Sequence, residues 1–138
     1  MRVGLLEDEV AIQEMLLLML QDEGYTVINF PDAEACLAIL DDAVQQGTPL
    51  PVDLMIIDWR LSGSISGVEV IRHIQKVLHV DSLPIILTTA AAVSDTEELQ
   101  DVHVTLIEKP FAIDELVTLI KTMLSHTSKS VRDPIAGS

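Results

Sequence analysis

The stretch Asp53-Leu54-Met55-Ile56-Ile57-Asp58 decides the fold of this chain. Its aliphatic residues stand between two acidic ones, and a short apolar run bounded by polar residues is typical of a strand buried on both faces. We therefore predict a strand over Asp53–Ile57, in a parallel sheet covered on both faces by helices. Asp58 then follows the strand, at the edge of the sheet where such folds bind ligands.

Four further apolar runs bounded by turn signals predict the remaining strands: Arg2–Leu6, Thr26–Phe30, Ile85–Thr88 and Val102–Ile107. Apolar residues at helical spacing predict the helices: Glu9–Glu23, Asp32–Gln46, Gly67–Leu78, a short Ser94–Gln100, and Ile113–Ser125. Strands and helices thus alternate five times, which implies right-handed crossovers. We predict a single α/β domain with a doubly wound, five-stranded parallel sheet of the flavodoxin-like type.

Composition narrows the classes of function. A chain of 138 residues fits one domain. The net charge of −14 argues against nucleic-acid binding, which needs clustered Lys and Arg. This charge either keeps the domain soluble or is partly concentrated in a cation site. No apolar run could span a bilayer, the N-terminus lacks a signal-peptide layout, and Cys36 is the single cysteine, so we expect a cytoplasmic protein without a membrane partner.

Polar residues collect at the carboxyl ends of four predicted strands. They are Glu7-Asp8-Glu9, Asp58-Trp59-Arg60, Thr88-Thr89-Ala90 and Glu108-Lys109-Pro110. Three neighbouring carboxylates repel one another, and a hard divalent cation such as Mg²⁺ relieves this repulsion. An aspartate beside a metal ion, a hydroxyl and an ammonium is a credible nucleophile for phosphoryl transfer, because the transferring group needs its charge neutralised on several sides.

Each of these elements also has a structural explanation. Acidic residues after the first strand can simply begin a helix, where they suit its dipole. Asp58 can be a turn residue, a threonine pair can reflect strand propensity, and Lys-Pro is common in turns. The combination at four strand ends is what favours a functional site.

On these residues the chain resembles the receiver domain of two-component response regulators, over about residues 1–125. The matching segments are Leu5-Leu6-Glu7-Asp8-Glu9, Asp53 to Asp58, Leu83 to Ala90, Glu108-Lys109-Pro110-Phe111 and Asp114-Glu115-Leu116. Residues 126–138 are polar without a periodic apolar face, and we predict a disordered tail there. We expect a stand-alone receiver and not a piece of a longer protein.

The resemblance implies a role for each matching residue. Asp58 would be the phosphoacceptor, Thr89 would follow the phosphoryl group, and Lys109 would pair with its oxygens. The Mg²⁺ ligands it implies are Asp8, Glu7, Asp58 and the backbone carbonyl of Arg60. Pro110 would follow a cis peptide bond. Thr88 falls one residue early for the role assigned to Thr89.

The resemblance also implies partners. The phosphoryl group would come from a histidine kinase or a histidine phosphotransfer protein. A downstream protein target, or a second copy in a homodimer, would bind the surface formed by the fourth helix, fifth strand and fifth helix, the α4–β5–α5 face of such domains.

Departures from the family pattern concern regulation. The loop after Asp58 is one residue longer than usual and has Ser62 where proline is usual. Arg60 and Ala91 are the positions expected to modulate the phosphorylated state. The switch position carries Leu106 in place of the usual aromatic residue, so it offers no ring to rotate.

Two other functions remain open. The first is a receiver-like interaction module that is never phosphorylated. The second is a phosphatase of the haloacid dehalogenase type, but this chemistry normally needs a second acid where Arg60 stands. We predict a phosphorylatable signalling domain that is not an enzyme beyond its own Mg²⁺-dependent phosphorylation and dephosphorylation.

Overall fold

The sheet has the predicted doubly wound topology. The computed structural model describes residues 1–61, 63, 65–80, 82–89 and 99–136, with side chains to residue 125. Its strands are β1 (Arg2–Leu6), β2 (Thr26–Asn29), β3 (Leu54–Asp58), β4 (Ile85–Thr89) and β5 (Thr105–Glu108). All pairings are parallel and the order is β2-β1-β3-β4-β5. The chain changes direction across the sheet between β1 and β3, which is where folds of this kind bind ligands.

Helices cover both faces of the sheet. They are α1 (Val10–Asp22), α2 (Ala33–Gln46), α3 (Gly67–Arg72), which continues as a π-helical turn (His73–Val77), and the C-terminal helix (Ile113–Ala136). The Asp32 side chain accepts a hydrogen bond from the backbone N–H of Ala35 (2.7 Å) and caps α2. Gly47, with φ of 68°, ends this helix in the left-handed conformation. The predicted short helix over Ser94–Gln100 lies, except for its last two residues, outside the described residues.

The aliphatic core forms two clusters, one on each face of the sheet. Ile57 and Leu87 pack in the cluster beneath α2 and α3. Ile56 and Ile86 pack in the opposite cluster, with residues of α1 and the C-terminal helix. Consecutive residues of a strand point to opposite faces, so a sheet covered on both faces requires the continuous apolar runs seen in the sequence. In the described part of the chain, no helix is both long and apolar enough to cross a bilayer.

The fifth strand is shorter than predicted, beginning at Thr105 and not at Val102. The side chain of Gln75, in the π-helical turn, binds the backbone of His103. Its Nε2 donates to the His103 carbonyl (2.9 Å) and its Oε1 accepts from the His103 N–H (3.0 Å). Because a side-chain amide satisfies these backbone groups, residue 103 does not need a strand partner.

The C-terminal end also differs from the prediction. The last helix does not end near Ser125 but continues to Ala136. Residues 126–133 contain neither glycine nor proline, and nothing in this segment interrupts helical hydrogen bonding.

Candidate functional site

Asp58 lies at the carboxyl end of the central strand and is almost fully buried (7% exposed). Its Oδ1 accepts a hydrogen bond from the backbone N–H of Arg60 (3.3 Å), and its Oδ2 accepts one from Lys109 Nζ (3.3 Å). The backbone N–H of Trp59 donates to the Thr88 carbonyl (2.8 Å), which continues the pairing of β3 and β4 past Asp58. The carboxylate is therefore held in a defined position at the edge of the sheet.

Lys109 joins the ends of three strands. Its ammonium lies 3.0 Å from Glu7 Oε1, beyond β1, and 3.3 Å from Asp58 Oδ2. Its backbone N–H donates to the Thr89 carbonyl (2.7 Å), so the residue is anchored to β4 as well. The Lys109–Pro110 peptide bond is cis, the isomer that the resemblance implies. One cation thus bridges two carboxylates in a pocket with little solvent.

The carboxylates outnumber the cation in this pocket. Burial raises the pKa of Glu7, and the neighbouring Asp58 raises it further, while Lys109 and the backbone N–H of Glu9 act in the opposite direction. Burial alone would lower the pKa of Lys109, but Glu7 and Asp58 outweigh burial and hold this pKa above its ordinary value. Because negative charge exceeds positive charge in this pocket, the pocket favours binding of a cation. It also favours a group whose negative charge can pair with the Lys109 ammonium.

Two of the predicted metal ligands share the pocket with Lys109. Glu7 and Asp58 are neighbours, because Asp58 raises the pKa of Glu7 through both a side-chain hydrogen bond and its charge. Asp8 is exposed at the next position. Among the described residues no group of three or more His, Cys, Asp or Glu side chains is arranged to hold a metal ion.

The structure describes three of the four remaining predicted site residues. Thr89 is the last residue of β4 and is 6% exposed. Leu106 pairs with Leu87 in the sheet and packs, partly buried, against the cluster beneath α2 and α3. The Arg60 side chain is exposed. Ala91 lies outside the described residues.

One residue of the site was not singled out by the sequence. Gly67 begins α3, and a Cβ there would overlap the Asp58 carbonyl and lie 3.0 Å from the Trp59 Cα. Its N–H donates to the Trp59 carbonyl (2.9 Å), so the start of α3 rests on the backbone of the phosphoacceptor candidate. A glycine between a serine-rich loop and an apolar helix could have suggested this close approach.

Thr88 carries an unsatisfied hydroxyl. Its Oγ1 is the one buried side-chain nitrogen or oxygen, within the described residues, that has no hydrogen-bond partner. An unpaired buried polar group costs about 1–3 kcal/mol. Valine would fill this position in the strand without that cost.

Substituting Gly67 by alanine is expected to damage the site and the fold together. The added Cβ meets backbone and not a flexible side chain, so either β3 or α3 must shift. We expect a loss of about 2–3 kcal/mol in the free energy of unfolding, measured by urea denaturation. Gly47→Ala is the control, since a Cβ there meets open space and only the left-handed φ is strained, at about 1 kcal/mol. Equal losses for the two variants would contradict the close approach at Gly67.

Comparison with known proteins gives the same assignment. Residues 3–121 match the family described as the response regulator receiver domain. The chain is 30% identical over 132 residues to the phosphate regulon transcriptional regulatory protein PhoB of Escherichia coli, covering 92% of this chain and 53% of that protein. It is 35% identical over 130 residues to the transcriptional regulatory protein CreB of the same organism, covering 92% and 52%. The chain therefore spans about half the length of these curated relatives.

Solved structures share the fold. The chemotaxis protein CheY4 of Vibrio cholerae superposes with a TM-score of 0.71 at 25% identity, covering 88% of this chain and 97% of that one. The N-terminal domain of a response regulator/sensory box/GGDEF three-domain protein from Carboxydothermus hydrogenoformans gives 0.77 at 22% identity, covering 95% and 99%. This chain belongs to the response regulator receiver domain family, the signalling modules of two-component systems.

Proposed function

We propose that Asp58 accepts a phosphoryl group from a histidine kinase or a histidine phosphotransfer protein. The observation that carries this proposal is the buried bridge from Lys109 Nζ to Glu7 Oε1 and Asp58 Oδ2. A structural ion pair would not need two carboxylates at one ammonium in a buried pocket. A site that receives a dianionic group beside a carboxylate needs such an ammonium.

The chain's own residues perform the transfer as follows. A carboxylate oxygen of Asp58 bonds to phosphorus while the bond from phosphorus to the donor nitrogen breaks, and the electron pair leaves with the donor imidazole. Lys109 pairs with the equatorial oxygens as their charge develops, and the Thr89 hydroxyl donates to another of them. The backbone N–H of Arg60 holds the second Asp58 oxygen and orients the carboxylate.

Mg²⁺ fits the chemistry of this donor set. Glu7 and Asp58 provide the one or two carboxylates that Mg²⁺ usually takes from protein, and Asp8 and the Arg60 carbonyl stand at the positions that the family pattern assigns to ligands. The raised pKa of Glu7 indicates repulsion that a cation would relieve. When bound, the metal supplies positive charge to the transferring group.

An apolar groove beside the site is a suitable approach for the phosphoryl donor. It has a volume of about 550 Å³ and lies between the start of α1 and the segment after β5. Its lining residues are Glu9, Ile12, Met15, Lys109, Pro110 and Phe111.

The proposal includes two further parts. The phosphorylated domain signals through the α4–β5–α5 face to a protein target or to a second copy of the chain, and the protein acts in the cytoplasm.

The test is phosphorylation without a kinase. The chain is incubated with acetyl phosphate, with and without Mg²⁺, and its intact mass is measured. We expect one phosphoryl adduct that requires Mg²⁺ and is released by hydroxylamine, as an acyl phosphate is. If no adduct forms and Mg²⁺ does not bind, the chain is instead a receiver-like interaction module. Rapid multiple turnover of phosphate esters would indicate a phosphatase.

Glu7→Gln is expected to change the pH dependence of stability. The folded-state pKa of Glu7 lies above its ordinary value of 4.5, so the folded chain holds this proton more tightly than the unfolded chain. The free energy of unfolding therefore falls as pH rises from about 4.5 through the folded-state pKa. The variant avoids this fall. Without Mg²⁺ it should melt above the wild type at about pH 8, with the advantage vanishing toward about pH 4. Thermal melting at both pH values, with and without Mg²⁺, measures the effect.

Asp53→Asn is the matched control for this pH dependence. Burial alone would raise the pKa of Asp53, but Arg2 outweighs burial and lowers it below 3.8. Ionised Asp53 therefore favours folding, and its stabilisation is present above 3.8 and lost as pH falls below that value. Replacing Asp53 by asparagine should lower the midpoint of thermal melting at neutral pH, whereas Glu7→Gln should raise that midpoint. A shift of the same sign for both variants would contradict the repulsion assigned to Glu7.

A further inference from the structure

The Gln13 side chain connects α1 to the acidic segment that follows β1. Gln13 is the fourth residue of α1 and is half-buried. Its Nε2 donates hydrogen bonds to the Glu7 carbonyl (3.2 Å) and to Asn29 Oδ1 (3.1 Å). Because a backbone carbonyl can only accept, the nitrogen of the amide and not its oxygen faces Glu7. The amide is therefore held between the ends of β1 and β2.

The carbonyl that Gln13 holds belongs to the peptide unit between Glu7 and Asp8. A peptide unit is planar, so fixing its carbonyl fixes the direction in which the chain leaves Glu7 and enters Asp8. These two residues carry carboxylates that the family pattern assigns to Mg²⁺. The orientation of one peptide unit thus determines where both side chains begin.

The carboxylate of Glu7 is fixed separately from its backbone. Its Oε1 lies 3.0 Å from Lys109 Nζ, and its Oε2 accepts a hydrogen bond from the backbone N–H of Glu9 (3.2 Å). A cation in this pocket would compete with Lys109 for the same carboxylate. The bond from Gln13 involves no carboxylate of the pocket, so it can hold the backbone with or without the cation.

Asn29 gives the Gln13 amide a fixed support. It is the last residue of β2 and pairs in parallel register with Leu5 of β1. Attachment of α1 to the sheet does not require this amide, since the buried side chains of Leu16 and Leu20 already pack in the cluster on that face. A helix tether alone therefore does not account for an amide placed on the acidic segment.

We propose that Gln13 is a positioning residue for the Mg²⁺ ligands Glu7 and Asp8, acting through the peptide unit that joins them. This inference rests on the proposed function, in which both carboxylates serve the cation. Because the backbone is fixed in advance, less conformational freedom is lost when the ion binds. The effect of Gln13 therefore falls on affinity for Mg²⁺.

The test measures Mg²⁺ affinity by isothermal titration calorimetry. Gln13→Met keeps the approximate length of the side chain and removes both N–H donors. It should weaken Mg²⁺ binding about fivefold, somewhat less than the loss typical of a residue that bonds a ligand side chain directly. Asn29→Ala removes the support at β2 but leaves the donor for Glu7, and it should weaken binding about twofold.

Gln13 and Asn29 should act as a unit. Once Gln13→Met has removed the amide, Asn29→Ala should cause no further loss of affinity, so the two losses should not add in the double variant. Additive losses, or wild-type affinity in Gln13→Met, would overturn the inference. Asn29 is exposed, and wild-type affinity in Asn29→Ala would overturn the inference whether or not Gln13→Met folds.

Gln75→Met is the matched control. The Gln75 amide also donates to a backbone carbonyl, that of His103 (2.9 Å), but this segment precedes β5 and lies away from its carboxyl end. The variant should lower the thermal midpoint and leave Mg²⁺ affinity unchanged. Equal losses of affinity in Gln75→Met and Gln13→Met would assign the effect to general loosening and overturn the inference.

Failure of the proposed function gives a distinct result. If the wild type binds no Mg²⁺ and forms no phosphoryl adduct, the proposed function fails and the inference falls with it. If the wild type binds the ion and Gln13→Met binds it equally well, only the inference fails.

Discussion

Asp58→Asn is expected to abolish the phosphoryl adduct completely while leaving the domain folded. The amide lacks the nucleophilic oxygen that would bond to phosphorus, so intact mass after incubation with acetyl phosphate and Mg²⁺ should show no added phosphoryl group. The fold should not suffer, because the substitution removes one of two buried carboxylates that share Lys109. We expect the free energy of unfolding of this variant to equal that of the wild type or to exceed it by about 1 kcal/mol.

This combination of lost chemistry and retained stability separates a nucleophile from a structural residue. Asp53→Asn is the control for the adduct, since Asp53 immediately precedes the opposite end of the same strand and pairs with Arg2. It should be phosphorylated like the wild type. An adduct that survives in Asp58→Asn would place the acceptor elsewhere in the chain and refute the assignment.

Lys109→Gln has the second largest expected effect, because it acts on both stability and chemistry. Removing one partner of a buried ion pair leaves the other charge uncompensated, at about 3 kcal/mol. Here the loss should be smaller at about pH 5, where Glu7 can take up a proton, than at about pH 8. Without an ammonium to neutralise the transferring group, the initial rate of adduct formation should fall about 100-fold. Urea denaturation at both pH values and timed intact-mass measurements give the two readouts.

Lys121→Gln provides a matched control. Lys121 Nζ also lies 3.0 Å from a carboxylate oxygen, that of Glu23, but its side chain is 59% exposed. Exposed ion pairs are worth about 0–1 kcal/mol. This control should therefore change stability little and phosphorylation not at all. A Lys109 variant that behaved like the Lys121 variant would show that the buried bridge is dispensable.

Much of the fold could be predicted because it depends on local patterns. Continuous apolar runs mark strands covered on both faces, and the bounds of β1 agree with the prediction to the residue. The boundaries that differ depend on contacts between distant residues. The late start of β5 follows from the side chain of Gln75, which is 28 residues away from His103 along the chain. The last helix extends beyond Ser125 because no glycine or proline occurs from Ser125 to Asp133 to mark an earlier end.

The site could be predicted as a set of strand ends but not as a set of contacts. Strand order brings Glu7, Asp58 and Lys109 to one edge, and the alternation of strands and helices is enough to infer that edge. Whether Asp8 joins the carboxylate pair depends on side-chain geometry, whereas Glu7 and Asp58 are neighbours. Thr88 lies one residue before Thr89, and the sheet register pairs it directly with Asp58.

Trp59 gives the domain a built-in optical reporter. It is the single tryptophan of the chain, adjoins Asp58, and packs half-buried against the core beneath α2 and α3. Its backbone is fixed on both sides, by the N–H bond to Thr88 and by the carbonyl that accepts from Gly67. Indole emission responds to nearby charge, so cation binding and changes at Asp58 can be followed as fluorescence in the unlabelled protein, at the residue next to the chemistry.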